Sequence, residues 1–211
     1  MNLENYFWYF ESALTPRFCD EVIEHGNSIK KSMAMTGDGT EKSEPLNQDE
    51  LSEMQKKRKS NVAWFDDPWV YNEIHPFIYE ANESAGWNFQ WDRSEACQFT
   101  EYGPGQFYDW HTDSQAGPYN NPDDINRHGK VRKISLTVML TDPKEYEGGE
   151  LQFNFKSNDP QFEKDKIKTV TEALSRGSIV LFPSFLWHRV KPVTEGIRHS
   201  LVCWNLGQPY V

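Results

Sequence analysis

The chain has 211 residues, with 22 basic against 32 acidic side chains and a formal net charge of −10. That balance argues against a nucleic-acid binder, which needs Lys and Arg to neutralise phosphates, and against attraction to an anionic membrane surface. No run of about 18 apolar residues exists to span a bilayer.

The length suits a single domain with a core of its own. With 13 phenylalanines, 9 tyrosines and 8 tryptophans, that core and any pocket are built largely from rings. The start, Met1-Asn2-Leu3-Glu4-Asn5, lacks the basic and apolar regions of a secretory signal. Cys19, Cys97 and Cys203 are odd in number and widely spaced, which suits the reducing cytoplasm.

In chain order, an aromatic stretch at 6–10 precedes Thr15-Pro16, an N-cap followed by proline at the first helical position. A helix is predicted from there to about Ile29, burying Phe18, Cys19, Val22 and Ile23. Residues 33–57 are polar, with few apolar side chains, and read as a long loop. Asp67-Pro68 opens a second helix, with Val70, Ile74, Phe77, Ile78 and Ala81 at helical spacing and Pro76 expected to kink or divide it. Near residue 92 the texture changes, so 1–92 is read as helical support and 93–211 as a β core within one domain. Residues 134–140 alternate, with Ile134, Leu136, Val138 and Leu140 on one face and Ser135, Thr137 and Met139 on the other. Residues 150–155 and 198–204 also alternate, and 178–182 is a continuous apolar run typical of a strand covered on both faces. Short strands separated by Gly and Pro turns predict a sandwich or barrel.

The chemistry concentrates at Tyr108-Asp109-Trp110-His111-Thr112-Asp113. On an extended strand, residues two apart project to one side, so His111 and Asp113 can face one ion. A second histidine would complete two imidazoles and a carboxylate with open positions opposite, the arrangement of non-haem Fe(II) oxygenases. Taken alone, the pair is better read as a surface histidine beside a solvated aspartate. His188 follows a buried strand, and Arg198 stands ten residues later with Ser200 on its face. A guanidinium inside an apolar barrel is costly unless it meets a carboxylate, which it grips bidentately. A strand-end salt bridge for Arg198 and a hydrogen-bonded core position for His188 are the plainer readings.

His111-x-Asp113, His188 and Arg198 in this order resemble the Fe(II)- and 2-oxoglutarate-dependent dioxygenases, in particular the prolyl 4-hydroxylase branch with its bacterial and viral members. The segments Glu101-Tyr102-Gly103-Pro104-Gly105-Gln106-Phe107-Tyr108, Tyr146-Glu147-Gly148-Gly149-Glu150-Leu151 and Gly177-Ser178-Ile179-Val180-Leu181-Phe182-Pro183 are similar to that family's turns and strands. The resemblance implies a double-stranded β-helix, mainly β with flanking N-terminal helices. It implies iron(II) held by His111, Asp113 and His188, and 2-oxoglutarate gripped by Arg198 with Tyr102 and Ser200. O2 is the oxidant, with ascorbate as a reductant. It implies hydroxylation of a C–H bond coupled to conversion of 2-oxoglutarate to succinate and CO2. It also matches Arg58, Ser60, Glu95, Tyr108, Arg132 and Trp204 to positions that contact peptide, so the expected partner is a peptide or protein carrying a prolyl residue. Residues 114–130 would form the opposite wall of that groove. A free amino acid or other small metabolite is the alternative substrate. A non-enzymatic metal or small-molecule binding barrel with a vestigial site and a zinc hydrolase are the competing classes, and hydrolysis gives Arg198 no role. His25, His75, His128 and His199 are not expected to bind metal.

Overall fold

In the computed structural model of the protein, residues 3–34, 48–155 and 166–210 are described. Three helices are α1 (Pro16–Ser28), α2 (Gln48–Lys57) and α3 (Pro68–Ser84). The N-terminal strands are β1 (Trp8–Phe10), β2 (Ser32–Met33), β3 (Arg58–Lys59) and β4 (Asn61–Phe65). They are followed by β5 (Arg93–Ser94), β6 (Cys97–Tyr102), β7 (Phe107–His111), β8 (Val131–Met139), β9 (Tyr146–Gly148) and β10 (Leu151–Asn154). The C-terminal strands are β11 (Ile167–Thr169), β12 (Ile179–Pro183), β13 (Trp187–Val190), β14 (Val193–Gly196) and β15 (Arg198–Gly207).

The large sheet runs β1-β12-β8-β15-β6-β4-β2, with β5 attached to β15. A smaller sheet runs β11-β10-β13-β7-β3, and β14 pairs with β9. Neighbouring strands are antiparallel, so the architecture is a two-sheet β sandwich of jelly-roll type. The predicted alternation is what builds it. Ile134, Leu136, Val138 and Leu140 turn to one side and pack with Phe18, Cys19, Val22, Val70, Ile74 and Ile78 of the helices. Met139 turns to the other side and joins Leu151, Phe153, Val180 and Phe182 between the sheets. Gly26 lets α1 approach closely, since a Cβ there would lie 2.4 Å from the Phe99 ring.

The Thr15 hydroxyl caps α1 by accepting from Phe18 N at 3.1 Å. Pro76 does not divide α3, which stays helical from Pro68 to Ser84 while Val70, Ile74, Ile78 and Ala81 are buried. One missing N–H bond is outweighed by that apolar stripe. Two expectations are corrected. Among its described residues the N-terminal part supplies four strands as well as helices, because β1 pairs with β12 and β4 with β6. Within the expected 33–57 loop, 48–57 forms α2, while 35–47 lies outside the described residues. No described helix is long and apolar enough to cross a membrane.

Candidate metal and cosubstrate site

The cavity between the sheets is lined by side chains of β6, β8 and β15 on one wall and of β7, β10 and β13 on the other. His111 at the end of β7 pairs with His188 on β13, which brings the two imidazoles together across a strand pair. Asp113 lies two residues past His111, beyond the end of β7 rather than on the strand. A turn aims it instead, since the N–H groups of Asp113 and Ser114 both donate to Ser184 O at 2.9 Å. Ser135 Oγ donates to Asp113 Oδ2 at 2.6 Å and is itself 2.8 Å from Ser184 Oγ. One candidate ligand atom from each of His111, Asp113 and His188 lies within 4.8 Å of the others.

The protons of this cluster test whether a cation fits. Nδ1 of His111 is 2.7 Å from Asp109 O, and Nδ1 of His188 is 2.9 Å from Leu186 O. A carbonyl only accepts, so each Nδ1 carries a proton, and in the neutral ring that a metal ligand must be, each Nε2 presents a lone pair. Those Nε2 atoms face Asp113 at 3.6 and 3.5 Å, lone pair towards lone pair. Burial, reinforced by His188, pushes His111 well below the usual imidazole range. Burial alone would raise the Asp113 carboxyl, but the two histidines, Arg132 and Ser135 together hold it below its ordinary value. Three converging electron-pair donors, with Asp113 and His188 buried and His111 partly so, fit a divalent cation held on one face.

Arg198 reaches into the same cavity from β15 and is 3% exposed. It makes a 3.3 Å bond to Ser200 Oγ and a 3.4 Å contact with Met139 Sδ, and its carbon Cζ lies 5.6 Å from the Tyr102 ring. No carboxylate pairs with it among the described residues. A buried guanidinium with only a hydroxyl and a thioether beside it is prepared for an anion that the chain does not supply. Gly149 makes room for it, since at φ +67° a Cβ there would lie 2.8 Å from Arg198 Cδ.

The other expected residues fall into two groups. Tyr108 stacks on His111 with centroids 3.4 Å apart, and Arg58 lies over the Tyr108 ring at 4.4 Å. Burial pushes the Tyr108 phenol up to about 12. Ser60 accepts from Arg58 Nε at 3.0 Å. Farther out, Arg132 donates to Glu95 at 2.5 Å, lies 4.0 Å over Trp204, and reaches Asp113 O at 3.4 Å. Glu95 and Arg132 also line a wider groove with Trp64, Asp124 and Arg127. The 114–130 segment forms one wall of it, tied down by Arg127 to Glu95, Asn126 to Arg93 and Lys130 to Asp92. Sequence reasoning missed Gln98 and Thr137, which line the cavity, and Arg127, which completes the Glu95 pair. The alternation of β6 and β8 was the available signal for the first two, and nothing marked Arg127. His25 bonds to Asp67 and His75 to Ser94, His128 is exposed, and His199 stacks on Phe99 on the opposite face of β15.

A jelly-roll sandwich holding two histidines and a carboxylate between its sheets, with the buried Arg198 beside them, has the arrangement of a non-haem iron oxygenase centre. The sequence profile of the 2OG-Fe(II) oxygenase superfamily matches residues 97–205, and the chain belongs to that family. A PKHD-type hydroxylase of Pseudoalteromonas atlantica is 35% identical over 107 residues, covering 51% of this chain and 41% of the relative. One from Synechococcus is 33% identical over 104 residues, covering 49% and 39%. The chain thus spans about two fifths of the length of these curated relatives. In fold it is similar to a viral collagen prolyl hydroxylase from Paramecium bursaria Chlorella virus-1, solved with 2OG, at TM-score 0.65 and 20% identity over 97% of both chains. It is also similar to a Pseudomonas putida prolyl-4-hydroxylase, at TM-score 0.60 and 17% identity over 98% of this chain and 95% of that one.

Proposed function

We propose that the protein is an Fe(II)- and 2-oxoglutarate-dependent dioxygenase that hydroxylates an unactivated C–H bond of a prolyl residue in a peptide or protein. One observation carries the oxygenase reading: the three converging donors and the unpaired Arg198 share one buried cavity. His111, Asp113 and His188 hold the iron, and Arg198, with Tyr102 and Ser200, takes the distal carboxylate of 2-oxoglutarate. Bound together, the two supply oxidative decarboxylation coupled to hydroxylation, with ascorbate as a reductant. The chain's part is to hold ligands and cosubstrate in fixed geometry and to exclude water. The hydroxyl of Ser135 keeps Asp113 aimed, and the backbone carbonyls of Asp109 and Leu186 keep both Nε2 lone pairs free.

Support for a prolyl substrate comes from the aromatic lining. Tyr108 and Trp204 flank the cavity, and Trp64 continues the surface outward at 5.8 Å from Trp204. Rings of this kind pack against stiff proline-containing chains at small entropic cost. On this reading Arg58, Ser60, Glu95, Tyr108, Arg132 and Trp204 contact substrate, and residues 1–92 brace the 93–211 core. The viral and bacterial fold neighbours are named prolyl hydroxylases, which agrees with it. The test is mass spectrometry of candidate proline-containing peptides incubated with protein, iron(II), 2-oxoglutarate and O2. A gain of one oxygen atom on proline, matched by succinate, is expected. Succinate formation stimulated only by non-prolyl metabolites would move the substrate to that class.

A further inference from the structure

The cavity holds two guanidinium groups, and the cosubstrate accounts for one. Arg58, at the start of β3 opposite Tyr108, is 5% exposed. Its partners are all neutral: Nε donates to Ser60 Oγ at 3.0 Å, Nη2 to Gln98 Oε1 at 2.6 Å, and the group lies over the Tyr108 ring. Gln98 Oε1 also accepts from Thr100 Oγ1 at 3.2 Å, which fixes the amide with its oxygen towards Arg58. Among the described residues no carboxylate pairs with Arg58. A guanidinium stays charged, and a buried one without a counter-ion is costly.

Among the described residues the lining contains one carboxylate, Asp113. Iron(II) and doubly charged 2-oxoglutarate cancel one another, and Asp113 balances Arg198. One positive charge is left over, and it sits on Arg58.

We propose that Arg58 binds a carboxylate of the substrate. This rests on the cavity being the hydroxylase substrate site, and it narrows the substrate to a molecule carrying a carboxylate near the reacting residue. Two sources share that chemistry. One is the free carboxylate of the reacting residue itself, in an amino acid or at a peptide C-terminus. The other is the side chain of an acidic neighbour within a peptide.

The experiment uses protein loaded anaerobically with iron(II) and saturating 2-oxoglutarate, so that Arg198 is already occupied. Calorimetry compares glycyl-proline with its C-terminal amide, and capped Ala-Pro-Asp-Ala with capped Ala-Pro-Asn-Ala. In one pair the carboxylate member is expected to bind about tenfold or more tightly, identifying the source, and Arg58→Gln should erase that advantage. Arg58→Lys should retain part of it. Equal binding within both pairs, an advantage that survives Arg58→Gln, or equal weakening of both members by that variant would overturn the proposal. If no peptide binds, the prolyl reading fails and the Arg58 proposal is decided separately by melting curves with propionate and propionamide. Propionate should raise the melting temperature of wild type and leave Arg58→Gln unchanged. No difference between the two additives in wild type, or an equal rise in the variant, would refute it.

Discussion

Arg132 and Arg198 occupy neighbouring parts of the same sandwich under opposite electrostatic conditions. Arg132 meets Glu95 at 2.5 Å, with Arg127 2.9 Å from the other carboxylate oxygen, and it lies over Trp204. Arg198 is more deeply buried, with Ser200 and Met139 as its nearest polar partners. A compensated cation helps hold the architecture even where it also lines a groove, whereas an uncompensated one is set for a ligand to complete. The difference arises because stability penalises an unpaired buried charge unless binding something recovers the cost.

The largest effect expected on this contrast comes from removing the Asp113 carboxylate from the cavity. Asp113→Ala should abolish 2-oxoglutarate-dependent succinate formation and iron retention, measured by metal analysis, while the protein still melts cooperatively. Full activity in that variant would disprove the triad. Next, Arg198→Met should weaken 2-oxoglutarate binding by about 2–5 kcal/mol. It should also leave the ligand-free protein as stable as wild type or more so. Calorimetry and urea unfolding read the two halves, and a large stability loss would place Arg198 with the compensated cations. Arg132→Met should do the reverse, costing about 3 kcal/mol of stability by stripping Glu95 of its nearer partner.

Gly149→Ala sharpens the contrast from the backbone side. A Cβ at a left-handed φ costs about 1–2 kcal/mol, and here it would also press on Arg198 Cδ, so 2-oxoglutarate affinity should fall along with stability. The smallest effect belongs to Glu101, which pairs with Lys31 and accepts from Asn61 at 3.1 Å. Burial favours its neutral form, but those two donors outweigh burial and hold the carboxyl below its ordinary value. The folded state therefore binds that proton less tightly than the unfolded state. Its contribution is complete above the unfolded value near pH ~4.3 and is lost as pH falls through the folded one. Glu101→Gln should flatten that part of the acid limb, at a cost of about 1 kcal/mol at neutral pH.

Much of this arrangement was legible from residue types because the central strands have two unlike faces. In β8 and β15 one face meets helices and the other meets a cavity, so apolar and functional side chains alternate, as Leu201 and Cys203 do with Ser200 and Trp204. The short strands were not legible. β1, β2 and β3 have two or three residues each, and their identity depends on partners far along the chain, such as Phe10 with Ile179. Local propensity cannot report such pairing. Helix α2 was hidden by its polarity, having almost no apolar stripe to read. Asp113 was found for its spacing but with a strand geometry it lacks, because its aim is set by Ser135 on β8 and by the carbonyl of Ser184 in the turn after β12.

Arg198 sits on β15, which is hydrogen-bonded to β6 along one edge and to β8 along the other, while its reverse face is sealed into the helical core. A segment so placed opens only when the whole sheet does, whereas the 114–130 wall is pinned by exchangeable ion pairs at its rim. Amide exchange should therefore be slowest along β15, which carries Arg198, and fastest in the wall. Under the proposed function, local openings of the wall would leave Arg198 where it is.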